Sequence, residues 1–109
     1  MSRLGRCILA AALVLLVAPA ALADPTPARQ GELMHRLLHD CGSCHGMTMK
    51  GGLAPALLPG TLAAKEDAYL VAVILDGVPG TPMPPWSFEI DSAEAAWLVA
   101  RLRQGLGGD

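Results

Sequence analysis

The chain has 109 residues, with 8 Lys or Arg against 10 Asp or Glu and a net charge of −2 at pH 7, which bounds it to one domain and excludes a basic nucleic-acid-binding surface. It holds one Phe, one Tyr and two Trp, few large side chains with which to fill a core, so a bound apolar group would supply the missing bulk.

Arg3 and Arg6 precede an apolar run from Cys7 to Ala18, and Pro19 and Ala21-Leu22-Ala23 follow it. A basic start, a short apolar run and an Ala-x-Ala site make a secretory signal peptide, with cleavage expected after Ala23. The run falls short of the ~20 apolar residues that span a bilayer, which weighs against a transmembrane anchor. The expected division is residues 1–23 as signal and 24–109 as the working domain, exported to the periplasm without a membrane anchor. Loss of residues 1–23 removes Cys7, leaves 86 residues and, by removing Arg3 and Arg6, takes the net charge from −2 to −4.

Thr26-Pro27 reads as an N-cap followed by Pro at the first helical position. From there a helix is expected to about Asp40, with Gly31, Met34, Leu37, Leu38 and Cys41 on its apolar side at spacings of three and four. Gly31 costs helix propensity by roughly 1 kcal/mol relative to Ala, so it either marks a close helix crossing or is a glycine tolerated near a frayed end.

The helix leads into Cys41-Gly42-Ser43-Cys44-His45. Two thiols three positions apart can add to the two vinyl groups of a haem, and the following histidine then becomes a ligand to the iron. The alternatives are a disulfide, a thioredoxin-like redox pair or half of a zinc site. A redox pair would want a βαβ setting and a zinc site a second ligand pair, and neither pattern is present. With thioethers formed, Cys41 and Cys44 would leave no cysteine for a disulfide, so the haem would be the chain's covalent staple.

Residues 46–59 are rich in Gly, Pro and Met without a sustained period and read as a loop over the haem. Within it, Pro55 stands either as the carbonyl that receives the Nδ1 proton of the metal-bound imidazole or as a turn residue. A second helix is expected from about Lys65 to Asp76, with Tyr69, Leu70, Val73 and Ile74 on its buried side and Gly77 past its end. In Gly77-Val78-Pro79-Gly80-Thr81-Pro82-Met83-Pro84-Pro85-Trp86, four prolines stiffen a strap that presents a thioether. Met83 is read as the sixth ligand to the iron, against a structural contact to the haem edge. Met34, His35, His39, Met47 and Met49 are expected in packing or at the surface.

Asp91 and Glu94 form a capping-box pattern before the last helix, expected to run to about Gln104 with Gly105 as its stop. Ala93, Ala96, Trp97, Ala100 and Leu102 are expected on its packing side, with Trp97 meeting Gly31. The Gly107-Gly108-Asp109 tail is expected to be loose.

This succession resembles a class I cytochrome c across residues 27–104. More narrowly, the strings from Asp40 to Met47, Lys50 to Leu57 and Pro79 to Trp86 resemble the small periplasmic monohaem cytochromes associated with cytochrome cd-type nitrite reductases, the NirC type. The resemblance implies an all-α fold of three to four helices around one covalently attached haem c. It also implies thioethers at Cys41 and Cys44, axial ligation by His45 and Met83, and the histidine-orienting carbonyl at Pro55. One departure is that a glycine placed eight or nine residues before the first cysteine in many such domains stands ten residues ahead here, at Gly31.

The function implied is that of a monomeric, periplasmic electron carrier and not an enzyme, meeting redox partner proteins such as cytochrome cd-type nitrite reductase in denitrification. Two alternatives stand beside it. One is an accessory role in maturing the reductase's specialised haem. The other, if Met83 is not a firm ligand, is a haem-based gas- or peroxide-binding protein.

Overall fold

The computed structural model describes residues 10–16 and 23–106. Most of the expected signal segment, including Cys7 and Ala21-Leu22, and the Gly107-Gly108-Asp109 tail lie outside the described residues. The architecture is all-α, with no strand among the described residues.

Helix α1 spans Pro27–Arg36 and continues through a π-helical turn, Leu37–Cys41, into α2, Gly42–His45. Thr26 caps it by accepting a hydrogen bond from the Arg29 N–H at 3.2 Å, and Pro27 occupies the first turn, where a missing N–H costs nothing. The helix does not stop near Asp40. It runs through the cysteine motif to Gly46, whose φ of +91° is open to glycine and where a Cβ would lie 2.6 Å from the Gly51 carbonyl oxygen. In the π turn the Gly42 N–H donates to the Leu37 carbonyl, five residues back.

That wide turn moves the inner face. Leu33 and Leu37 are buried, with Met34 and Cys41 packed against the core. Gly31 is exposed, with nothing within 4 Å of a would-be Cβ. The expected crossing at Gly31, and its pairing with Trp97, are therefore not formed: the buried Leu33 and Leu37, four residues apart, set the inner face of α1, and Gly31 falls off it.

A short helix that the sequence did not announce, α3 (Pro59–Leu62), buries Leu62. Helix α4 spans Asp67–Asp76 and begins two residues later than expected, because Glu66 is extended at its N-cap. Arg103 holds this corner, donating to the Leu62 carbonyl at 3.1 Å, the Asp67 carboxylate at 2.6 Å and the Lys65 carbonyl. No α4 side chain is fully buried; Leu70, Val71, Ile74 and Leu75 are half-buried and packed against the core. Tyr69 is 54% exposed, with the Lys65 ammonium 5.6 Å from its ring centroid, so it belongs to the outer side and not to the buried stripe.

Helix α5, Ser92–Gln104, begins at the expected capping box: the Glu94 N–H donates to Asp91 at 2.8 Å and the Asp91 N–H to Glu94 at 3.0 Å. Gly105, with φ +81°, ends it. Its inner face is Ala95, Leu98, Val99 and Leu102, while Ala96 and Ala100 are exposed and Trp97 is half-buried beside Arg101. Of the residues expected on its packing side, Leu102 is buried and Trp97 packs against the core, while Leu98 and Val99 take the interior in place of Ala96 and Ala100. Leu33, Leu37, Met49, Leu62, Ile90, Ala95, Leu98 and Leu102 form one core cluster, and each buried leucine is worth about 1.5–3 kcal/mol. Arg29 joins the starts of α1 and α5 by pairing with Glu94 and donating to the Glu89 carbonyl at 2.6 Å.

Candidate haem site

Cys41 closes the π turn, and Cys44 and His45 follow on α2. Both cysteines are unbridged and half-buried. Burial, with the Asp40 carboxylate adding to it, pushes the Cys41 thiol up to about 11. The thioredoxin-like reading lacks its βαβ setting, with no strand among the described residues. The zinc reading lacks ligands, since no group of three or more His, Cys, Asp or Glu side chains among the described residues could hold a metal.

His45 Nδ1 lies 2.7 Å from the Pro55 carbonyl oxygen. A carbonyl can only accept, so Nδ1 carries the proton and Nε2 carries the lone pair a metal would need. The loop is bent to bring Pro55 there. The Gly51 N–H donates to the His45 carbonyl at 2.8 Å, Ala54 N–H to the Cys44 carbonyl at 2.9 Å, and Leu57 N–H to the Met49 carbonyl at 2.8 Å. Gly52 passes so close to α2 that a Cβ there would meet the Cys44 carbonyl oxygen at 2.9 Å. Met49 anchors the loop: its side chain is fully buried and its backbone takes φ +61°, a left-handed conformation that costs a non-glycine residue about 1–2 kcal/mol. Its role is packing, as the sequence indicated; Met47 and the pair His35 and His39 are exposed.

Met83 stands on a second segment, the strap between α4 and α5, and is half-buried. The strap is laid on the end of α4. The Val78 N–H donates to the Met83 carbonyl at 3.2 Å, the Trp86 N–H to the Ile74 carbonyl at 2.9 Å and the Ser87 N–H to the Leu75 carbonyl at 3.2 Å. Thr81, which sequence reasoning passed over, receives the Met83 N–H on its hydroxyl at 3.3 Å and donates to the Val78 carbonyl at 2.8 Å. The readable signal was a hydroxyl residue two positions before Met83 among prolines, a short-turn pattern.

The donor set fits a c-type haem. Two thiols at the attachment spacing, an imidazole with Nδ1 engaged, a thioether on a braced strap and the apolar side chains of α4 are the groups that cofactor uses.

Comparison with known proteins agrees with this reading. Residues 27–100 match the family described as cytochrome C oxidase, cbb3-type, subunit III. The chain is 52% identical over 86 residues to cytochrome c55X of Pseudomonas aeruginosa, covering 77% of this chain and 72% of that one. It is also similar to the solved structure of c-type cytochrome NirC, at 51% identity and a TM-score of 0.72 over 73% of this chain and 94% of the other. A 93-residue match at 40% identity to dihydro-heme d1 dehydrogenase of Pseudomonas aeruginosa covers 85% of this chain but 18% of that larger protein.

Proposed function

The chain belongs to the class I c-type cytochromes, within the c55X or NirC group, and from that membership we propose that it carries single electrons on one covalently attached haem c. The residues that would hold the haem are Cys41 and Cys44 through thioethers, His45 through Nε2 and Met83 through its sulfur. When bound, the haem supplies a one-electron couple between ferric and ferrous iron. The protein's own groups do the rest. The Pro55 carbonyl accepts the His45 Nδ1 proton, which holds the ring's tautomer and orientation and raises the basicity of Nε2. Met83 offers a neutral, soft donor that favours the reduced state over what a second imidazole would give. Held by both His45 and Met83, the haem would offer no open position to a substrate, which supports the reading of the chain as an electron carrier.

The observation that carries this reading is the 2.7 Å contact between His45 Nδ1 and the Pro55 carbonyl within the Cys-x-x-Cys-His motif. The proposed partners are redox proteins of the nitrite reductase system, with cytochrome cd-type nitrite reductase as electron acceptor; similarity to NirC supports it. The proposed location is the periplasm, after cleavage behind Ala23. No helix among the described residues is long and apolar enough to cross a membrane.

The test is the absorption spectrum of the purified protein, ferric and ferrous. Low-spin c-type bands and a far-red ferric band that vanishes in Met83→Ala are expected, together with oxidation of the ferrous protein by nitrite reductase. A high-spin haem that takes up carbon monoxide without denaturation would instead make this a ligand-binding protein.

The match to dihydro-heme d1 dehydrogenase favours a second reading. A unit of this kind within that larger enzyme supports an exchange of electrons during maturation of the reductase's haem. Deleting the gene separates the two. A complete reductase starved of electrons indicates the donor role, and a reductase lacking its specialised haem indicates maturation.

A further inference from the structure

Arg36 is the last residue of α1, one turn before Cys41, and its side chain is 33% exposed. Its Nη1 lies 3.1 Å from the Asp40 carboxylate and 2.5 Å from the Glu89 carboxylate, and its guanidinium carbon lies 5.5 Å from the centroid of the Trp86 ring. These three partners come from two places. Asp40 is in the π turn beside Cys41. Trp86 is the third residue after Met83, joined to it by Pro84 and Pro85, and Glu89 follows in the turn that the Glu89 and Ile90 N–H groups make onto the Trp86 carbonyl at 3.0 and 2.9 Å. On its other side the strap is already held to α4 through the Trp86 N–H and the Ile74 carbonyl. Phe88 stacks on Trp86 with ring centroids 5.8 Å apart.

Two short prolyl steps between Trp86 and Met83 leave little backbone freedom, so where the indole is held largely determines where the thioether can reach. Arg36 joins the indole's turn to the helical turn carrying the first cysteine through both a charge and a ring face. A guanidinium can do both at once; an ammonium pairs with the carboxylates but matches the ring face less well.

We propose that Arg36 is a positioning residue for Met83, clasping the end of the Met83 strap to the π turn that carries Cys41. The clasp rests on the reading of Met83 as an axial ligand. Its loss loosens Met83 from the iron while His45 and the thioethers stay in place.

The test uses the haem-loaded protein and the displacement of Met83 from ferric iron by added imidazole, followed by loss of the far-red band. Arg36→Gln is expected to bind imidazole about tenfold more tightly than wild type, since it removes both the ion pairs and the cation–π contact that hold the strap to the π turn. Arg36→Lys should recover part of that change. Arg103→Gln, which breaks the contacts with the Asp67 carboxylate and the Leu62 carbonyl away from the strap, serves as a control: it should lower the unfolding temperature and leave imidazole affinity within twofold of wild type. If Arg36→Gln does not accumulate, Trp86→Leu and Arg36→Lys carry the same comparison. Equal imidazole affinity in wild type and the Arg36 or Trp86 variants would overturn the clasp. Absence of the far-red band from wild type would instead overturn Met83 ligation itself, before any variant is compared.

Discussion

Gly77 offers a quantitative test of how the Met83 strap is seated. A Cβ there would lie 2.7 Å from the Met83 carbonyl oxygen, 2.8 Å from the Pro84 carbonyl carbon and 2.8 Å from the Pro85 nitrogen. All three are backbone atoms, which cannot rotate aside. Ordinary contact is near 3.5 Å, so Gly77→Ala must push the strap off α4 by roughly 0.7 Å. The residue also sits at φ +67°, ψ −172°, a region essentially reserved for glycine, where a side chain costs about 1–3 kcal/mol. Overpacking adds about 1–3 kcal/mol. A loss of about 2–6 kcal/mol is therefore expected, which for a domain of this size lowers the melting temperature by about 8 °C or more. Gly80 is the internal control, with φ +79° but nothing within 4 Å of a Cβ. Gly80→Ala should cost about 1 kcal/mol from the backbone alone. Thermal unfolding of the haem-loaded variants, read together with the far-red ferric band, separates strain from displacement. Gly77→Ala should lose stability and the far-red band, and Gly80→Ala only some stability. Equal stability and an intact band in both would refute the claim that the strap is seated by contact with Gly77.

Two further outcomes follow from packing and charge. The hydrogen bond from Arg29, helped by that from the Asp91 N–H, holds the Glu94 carboxyl below the usual carboxylate range. Because its native value is depressed, the stability Glu94 contributes is present above the unfolded value of about 4.3 and is lost as pH falls through the native one. Urea titrations from pH 7 to pH 3 should show Glu94→Gln trailing wild type by a constant gap above about pH 5 that closes on acidification; a gap that widens in acid would contradict the pairing. Leu98→Ala removes a side chain that is 2% exposed on the inner face of α5 and should cost about 2–5 kcal/mol in chemical denaturation.

What the sequence made legible was chemistry tied to short strings. Thr26-Pro27, the Asp91 and Glu94 box and Gly105 are local signals, decided by which backbone groups lack a partner, and each stands where it was read. The approach of the Pro55 carbonyl to His45 Nδ1 was readable for a related reason, since a short loop after the histidine limits which carbonyls can reach the ring. Faces were read less well. Gly31, Tyr69, Ala96 and Ala100 were assigned inward from periodicity and lie outward, because side-chain spacing reports a face only when the helix keeps one pitch and the strongest apolar residues set its phase. Leu33, Ala95, Leu98 and Val99 hold those positions. Arg36, Thr81 and Met49 were invisible as organisers of the site: their roles arise from contacts across the fold or, for Met49, from a backbone angle that no local string specifies.

The π turn at Leu37–Cys41 makes the long N-terminal helix two registers in one rod. Residues up to its start are timed to the interior, through Leu33 and Leu37, and residues from its end to the cysteine and histidine string. About one extra residue in that turn lets the two schedules be set independently, so a substitution that re-times the core side does not have to re-aim His45. The same arrangement sets a rule for transplanting the site. A Cys-x-x-Cys-His string grafted onto a straight helix would inherit the phase of its host, whereas one carried with residues 37–41 brings its own offset.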